Sequence, residues 1–296
     1  MKKIVIAAAL AAASIAASAQ VTVFGTIREF VDNTTVNGTA TTKMKDDSSS
    51  LGFKATESLG TGLSARMVIE TGYSGSDPKV GAANQIGDRQ STIGLVTKDG
   101  TLDLGRKWHS QGLALKASDP FNTLYGSIAV DVHNFHNKRS GDAVFATYIV
   151  GPATIAFDRT ITATGPEAMG YSVSSNIGPV TTTLAHFEQG ADKSNVVSAQ
   201  AVVFNTKVMG SYSIDDGLTT NTKGTLVSVV RDISNTPLSI RAGYGVKTGL
   251  VTGDVKAFNM AADYSLSKRT VTSLIYRNVS DVINTKQLGL GLTHSF

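Results

Sequence analysis

KQLGLGLTHSF, residues 286–296, ends the chain as a strand with two unlike faces. Leu288, Leu290, Leu292 and Phe296 fall on one side, interrupted by His294. Gln287, Gly289, Gly291, Thr293 and Ser295 fall on the other, because successive side chains of a strand point to opposite faces. An apolar face backed by small polar groups suits a wall between lipid and water. It equally suits one sheet of a soluble sandwich, so this segment alone admits both architectures.

At the other end, Lys2 and Lys3 precede the apolar run 4–13, and Ala17-Ser18-Ala19 supplies a small-x-small cleavage pattern. Residues 1–19 therefore read as a cleaved export signal, with 20–296 as a single barrel domain. The run is too short for a membrane helix, and no later stretch approaches the roughly eighteen apolar residues that one requires. The chain's +4 charge overstates the exported part: of the 27 basic residues, the 25 that remain without Lys2 and Lys3 nearly balance the 23 acidic ones. That balance gives no support for nucleic-acid binding. Cysteine is absent, so stability must come from hydrogen bonding and packing. With 29 glycines, a single tryptophan and a mean hydropathy near zero, the composition fits apolar residues diluted by a polar lumen face and polar loops.

Between these ends, β-branched and aromatic residues recur at period two, and a helical period is almost nowhere convincing. The class is all-β. Short turns rich in Gly, Asn, Ser and Pro lie at 59–62, 98–100, 151–152, 178–179, 205–207, 234–237 and 267–268. Longer polar connections alternate with them at 32–49, 74–88, 108–138, 161–166, 190–193, 215–221, 247–253 and 280–284. These separators delimit sixteen strands. An even count, with tight turns at one end and longer loops at the other, is the pattern of a closed antiparallel transmembrane β-barrel. Closure would pair the strand starting at Val21 with the one ending at Phe296 and abolish both edges. In strand 63–73, Leu63, Ala65, Met67, Ile69 and Tyr73 form the expected lipid face, with Ser64, Arg66 and Glu70 opposite. Lys256, Phe258, Met260, Ala262, Tyr264 and Leu266 share a face in a later strand. Phe30, Tyr73, Tyr148, Tyr264 and Phe296 fit interfacial aromatic girdles.

Several strings resemble a known family. SSSLGFKATESLGTGLSARMVIETG, residues 48–72, is similar to the second hairpin of Gram-negative general porins. DRQSTIGLVTKDGTLDLGRKW, residues 88–108, resembles strands four and five of porins from beta-proteobacteria, and VTVFG (21–25) and GLGLTHSF (289–296) resemble the family's first and last strands. The region from about 160 to 281 matches mainly by pattern. The resemblance implies a sixteen-stranded, water-filled barrel, normally a homotrimer, whose third external loop folds into the lumen. Here that loop, 108–138, is the longest, and its Asp119-Pro120-Phe121 resembles the acidic-Pro-Phe element of the family's constriction. Also implied are a surround of outer-membrane lipid and lipopolysaccharide, and delivery by periplasmic chaperones to the barrel-assembly machinery, with Phe296 as the assembly signal.

The resemblance further implies a basic cluster on the wall facing acids on the infolded loop. Arg106 and Arg139 match two members of the cluster, and the third position is occupied by Ser50. Arg66 faces the lumen by parity, and Lys116 adds charge from the loop. Asp119 and Asp131 are the loop acids expected opposite, while Glu70 shares Arg66's face. Such groups also brace an infolded loop through ion pairs. Arg106 shares parity with Leu102 and Leu104, so an inward aim requires the strand to bulge near Gly105. His133 and His136 sit three apart in a polar loop that also holds His109; no carboxylate or cysteine spacing completes a metal site, and solvated histidines are the simpler reading. No nucleophile motif with an activating partner is visible.

The expected function is an outer-membrane channel for passive diffusion of small hydrophilic solutes and ions, weakly anion-selective, with no cofactor and no chemical step. A substrate-selective channel, an outer-membrane barrel enzyme and a secreted β-sandwich are the alternatives. They differ in solute-dependent block, hydrolytic activity and solubility without detergent.

Overall fold

The computed structural model describes residues 20–76, 85–134, 139–162, 165–217 and 220–296. The export-signal expectation for residues 1–19 falls outside these, as does His136. Seventeen strand segments form one sheet. They are β1 Gln20–Val36, β2 Thr39–Asp46, β3 Ser50–Gly60, β4 Leu63–Gly72, β5 Gln90–Thr97, β6 Gly100–Trp108, β7 Arg139–Val150, β8 Ala153–Thr160 and β9 Ala168–Ile177. There follow β10 Val180–Gln189, β11 Asp192–Val203, β12 Thr206–Asp216, β13 Asn221–Asp232, β14 Leu238–Thr248, β15 Val255–Ser265, β16 Thr270–Ser280 and β17 Thr285–Ser295.

β2 and β3 share one wall position: β2 pairs the second half of β1, from Glu29 to Val36, and β3 pairs the first, from Gln20 to Thr26. The sheet is thus a sixteen-strand antiparallel barrel. β1 closes it against β17 from Thr26↔Ser295 to Val36↔Thr285, and Gly25 and Phe296 then exchange both backbone hydrogen bonds at 3.1 Å. A single sheet closed on itself in this way rules out the sandwich.

Burial is inverted relative to a soluble protein. Val23, Ile27, Leu95, Leu104, Ile155, Leu184, Val227 and Leu290 are exposed on the outer face, whereas Ser, Thr and Asp side chains are buried within. Apolar surface on this scale needs lipid against it. The seven tight turns lie where sequence places them, and Lys256 through Leu266 alternate outward as expected.

The opposite end differs in two places. Residues 32–49 are mostly a strand hairpin instead of a polar loop, because Asn37 (φ 46°) and Gly38 (φ 89°) take the left-handed pair of a type I′ turn. Similarly, 190–193 shrinks to a two-residue turn at 190–191. Loop length is therefore sorted less strictly than expected. Phe30 is also not a girdle residue: it is 3% exposed and stacks on Tyr125 within the barrel.

The third connection carries two short helices, α1 Ser110–Lys116 and α2 Ala129–Val132, and lies against the inner wall at three apolar anchors. Ala114 and Leu115 pack on Ala185 and Val196. Phe121 and Tyr125 pack on Phe30, Ala261 and Ile275. Ile128, Ala129 and Val132 pack on Leu226, Val255, Ala257 and Val279. The wall makes room with small residues: a Cβ on Gly289 would lie 2.3 Å from the Tyr125 ring, and one on Gly291 would lie 2.2 Å from Phe30.

Candidate functional site

Polar bonds fix the loop between these anchors. Tyr125 Oη donates to Asp32 of β1, and Asn259 Nδ2 donates to the Gly126 carbonyl at 2.7 Å. Arg241 donates to the Pro120 carbonyl at 2.9 Å while its guanidinium lies 4.3 Å from the Phe121 ring centroid. The two described histidines of this loop are buried fasteners, which corrects the solvated reading for His133. His109 lies between Asp158 and Ser140, and His133 bonds Ser213 and Ser211, each at 2.9 Å. Burial pushes the His133 imidazole down to about 4, so it docks neutral at pH 7.

The sequence-nominated charges fall into two groups. Asp119 is buried and turned into its own loop, accepting from Phe121 N–H at 3.0 Å, Thr123 N–H at 2.6 Å and Ser127 Oγ at 2.7 Å. Burial raises its pKa against the pull of those donors. Asp131 is held by Arg277, whose Nη2 reaches both carboxylate oxygens at 2.6 and 2.7 Å. Arg66 is matched by Asp103 at 2.9 Å, which also holds Lys107. Glu70 pairs with Arg89 at 2.7 Å. These four are occupied in ion pairs or in bracing the loop.

Arg139 and Lys116 instead meet on one aromatic. Arg139 lies 4.7 Å and Lys116 Nζ 5.5 Å from the Trp108 ring centroid. Burial, followed by repulsion from Arg139 and Arg89, holds the Lys116 ammonium below the usual lysine range. Arg106 arrives beside them through the bulge that its parity demanded: Gly105 sits at φ +123° and the β6–β7 register slips between Gly105 and Lys107. Its Nε donates to the Asp88 carbonyl at 2.7 Å.

Arg139, Lys116 and Trp108 line a cavity of ≈ 320 Å³ with Arg28, Arg89, Ser48 and loop residues Asn122, Thr123 and Leu124. Arg28 and Arg89 were not nominated from sequence. Arg28 was legible there, since Val23, Ile27 and Val31 face outward and put residue 28 inward. It donates to the Ser48 carbonyl at 3.1 Å, supplying from the neighbouring strand a charge near the position where Ser50 departs from the family pattern. The cavity thus gathers four cations, with Glu70 as an acid paired to one of them.

A model of Gram-negative porins matches residues 7–282. This chain belongs to the Gram-negative porin family. Among curated proteins it is similar to the major outer membrane protein P.IA of Neisseria meningitidis serogroup B, 33% identical over 139 residues, covering 47% of this chain and 30% of that protein. To P.IB of the same organism it is 40% identical over 115 residues, 36% of this chain and 34% of that protein. The porin therefore aligns with only about a third of those relatives' length. Among solved structures, an anion-selective porin from Comamonas acidovorans superposes with a TM-score of 0.81 at 17% identity, over 94% of this chain and 100% of that one. OmpF of Salmonella typhi superposes with a TM-score of 0.76 at 16% identity, over 94% and 98%. The trimer form of Vibrio cholerae OmpT gives 0.75 at 11%, over 94% and 100%. At such identities the structural likeness establishes the barrel and nothing finer. Family and fold together place the porin in the outer membrane.

Proposed function

We propose that this porin is a general diffusion channel that passes small hydrophilic solutes and ions through its lumen without a chemical step, favouring anions weakly. The observation that carries the reading is the charge asymmetry of the narrow region: Arg28, Arg89, Arg139 and Lys116 line one cavity, while Asp119 and Asp131 are turned into the loop or clamped by Arg277. Fixed charge of one sign around a water-filled constriction raises the local concentration of the opposite ion. Glu70 and the Asp103 pairs temper the excess, which makes the preference weak.

A barrel hydrolase is the reading from another class, because His109 bridges Ser140 and Asp158. The imidazole is fully buried, so it serves as a fastener. We assign residues 1–19 to export and 20–296 to the barrel, and infer a homotrimer in the outer membrane, in line with the trimeric OmpT fold. Purified protein in a planar bilayer should give stepwise conductance in groups of three, with a reversal potential on the anion side. A folded, heat-modifiable barrel without conductance would overturn the reading.

A further inference from the structure

The tip of the third loop separates two cavities of different chemistry, and Arg28, Asn122 and Leu124 line both. On one side lies the cationic cavity described above. On the other lies a cavity of ≈ 220 Å³ with an apolar floor. Leu124 of the loop and Val271 of β16, both half-buried, face it, with Phe121 and Ile275 behind them. The floor is a by-product of loop docking. Phe121 and Ile275 belong to one of the loop's apolar anchors, and Val271 shares the inward parity of Ser273 and Ile275.

The charges around this second cavity are unequally available. Arg241 and Asp263 neutralise each other through bonds of 2.6 and 2.9 Å, and Ser273 donates to the same carboxylate. Asp47 has Arg28 and Lys45 as charged neighbours. Arg28 donates to the Ser48 carbonyl at 3.1 Å and, among the described residues, forms no salt bridge. Most of its guanidinium N–H donors are therefore left for a solute. Arg89, Arg139 and Lys116 lie across the tip in the neighbouring cavity. An anion seated on Arg28 thus sits in their positive potential, while whatever it carries extends over the apolar floor.

Size narrows the choice of occupant. An apolar cavity of about 150 Å³ accepts a benzene ring, so ≈ 220 Å³ accommodates one six-membered ring with its charged group at the shared edge. We propose that this cavity is a subsite for a small monocarboxylate with a ring-sized apolar body, of which benzoate is the simplest case. The carboxylate accepts from Arg28 in a charge-assisted contact, and the ring lies against Leu124 and Val271. The inference rests on the channel reading for the solute's route to the cavity, and adds to it a preference among the anions that pass. Acetate makes the same ionic contact without the ring, and benzamide offers the ring without the charge. Removing about half of a ring's surface from water is worth roughly a tenfold gain in affinity.

The test uses the whole purified barrel in detergent. Benzoate, acetate and benzamide are each measured by equilibrium dialysis, with protein-free micelles subtracted, and each is added to a planar bilayer holding the protein in KCl. Wild type should bind benzoate saturably, roughly tenfold or more tightly than acetate or benzamide. Benzoate should also reduce the current saturably, and acetate at equal concentration should not. V271N makes the floor polar and V271F fills the cavity, each leaving every charge in place; in both, the benzoate-to-acetate affinity ratio should fall toward one. R28Q should weaken benzoate binding roughly tenfold. Heat modification verifies that each variant is a closed barrel, and the three-solute comparison on wild type needs no variant. Comparable binding of benzoate and acetate, benzamide binding as tight as benzoate, or an unaltered ratio in folded V271F would each overturn the proposal. Steady conductance without saturable benzoate binding would overturn the subsite alone. Benzoate binding with no conductance from any of the proteins would refute the channel reading alone.

Discussion

Replacing Arg28 by Gln removes one of the four cations around the constriction and leaves its ion-paired acids untouched. A cavity of ≈ 320 Å³ has the volume of a sphere about 4 Å in radius, so an ion at its centre passes roughly 5 Å from a guanidinium on the wall. In water that separation corresponds to about 0.8 kcal/mol, reduced to about 0.5 kcal/mol by screening at 0.1 M salt. An anion loses this attraction while a cation is relieved of the same repulsion. The difference, about 1 kcal/mol, lowers the anion-to-cation permeability ratio about fivefold. Arg28→Glu changes the charge by two units and should lower the ratio about 25-fold, enough to reverse a weak anion preference. Reversal potentials across a tenfold KCl gradient measure both. The shift should shrink at about 1 M salt, where the Debye length falls to about 3 Å. Arg66→Gln/Asp103→Asn is the comparison, because it removes one charge of each sign and leaves the net charge of the wall unchanged. An unchanged reversal potential for Arg28→Glu, or a shift as large for the Arg66→Gln/Asp103→Asn variant, would refute the assignment of selectivity to this cavity.

Docked His133 titrates near 4 against a free value of 6.5, so it binds a proton less readily docked than released. Loop docking should then be fully stable above about pH 6.5 and weaken toward pH 4 by up to about 3 kcal/mol, read as growing current noise or protease access that His133→Gln removes. Gly105→Ala should destabilise the barrel by roughly 3 kcal/mol or more, since a Cβ there meets the Ser91 carbonyl at 2.1 Å with φ at +123°; its heat-modification temperature should fall. Gly289→Val should drive Tyr125 from its place, costing the Asp32 hydrogen bond and the Phe30 stack, about 2–4 kcal/mol together. The barrel should remain closed while the third loop becomes sensitive to protease; wild-type resistance would contradict the proposed seat.

The wall was legible because its constraints are local. A two-residue reversal needs turn formers, and a sheet with lipid on one side needs strict alternation, so turns such as 151–152 and 178–179 and the strand of Lys256 could be placed from sequence. Asn37-Gly38 carried an equally local signal, although the surrounding threonines and lysines give the appearance of a polar loop. The lumen was less legible because tertiary contacts set its charges. Asp119 looks like a pore acid until the backbone N–H groups of 121 and 123 are seen to turn it inward. His109 and His133 look solvated until the wall serines that receive them, from β7 and β12, are known. Arg106 was the intermediate case: parity pointed it to lipid, and the glycine before it signalled the bulge.

Tyr125 draws its seat from both ends of the chain: Phe30 and Asp32 belong to the first strand, and Gly289 belongs to the last. That seat is created only when β1 meets β17, a seam also fastened at the rim by Asn37 N–H donating to the Asn284 carbonyl at 3.0 Å. During biogenesis the aperture must therefore be set after the cylinder has zipped shut. A precursor arrested before closure would hold an unseated third loop, and probes of Tyr125 burial would report completion of assembly before any current could be recorded.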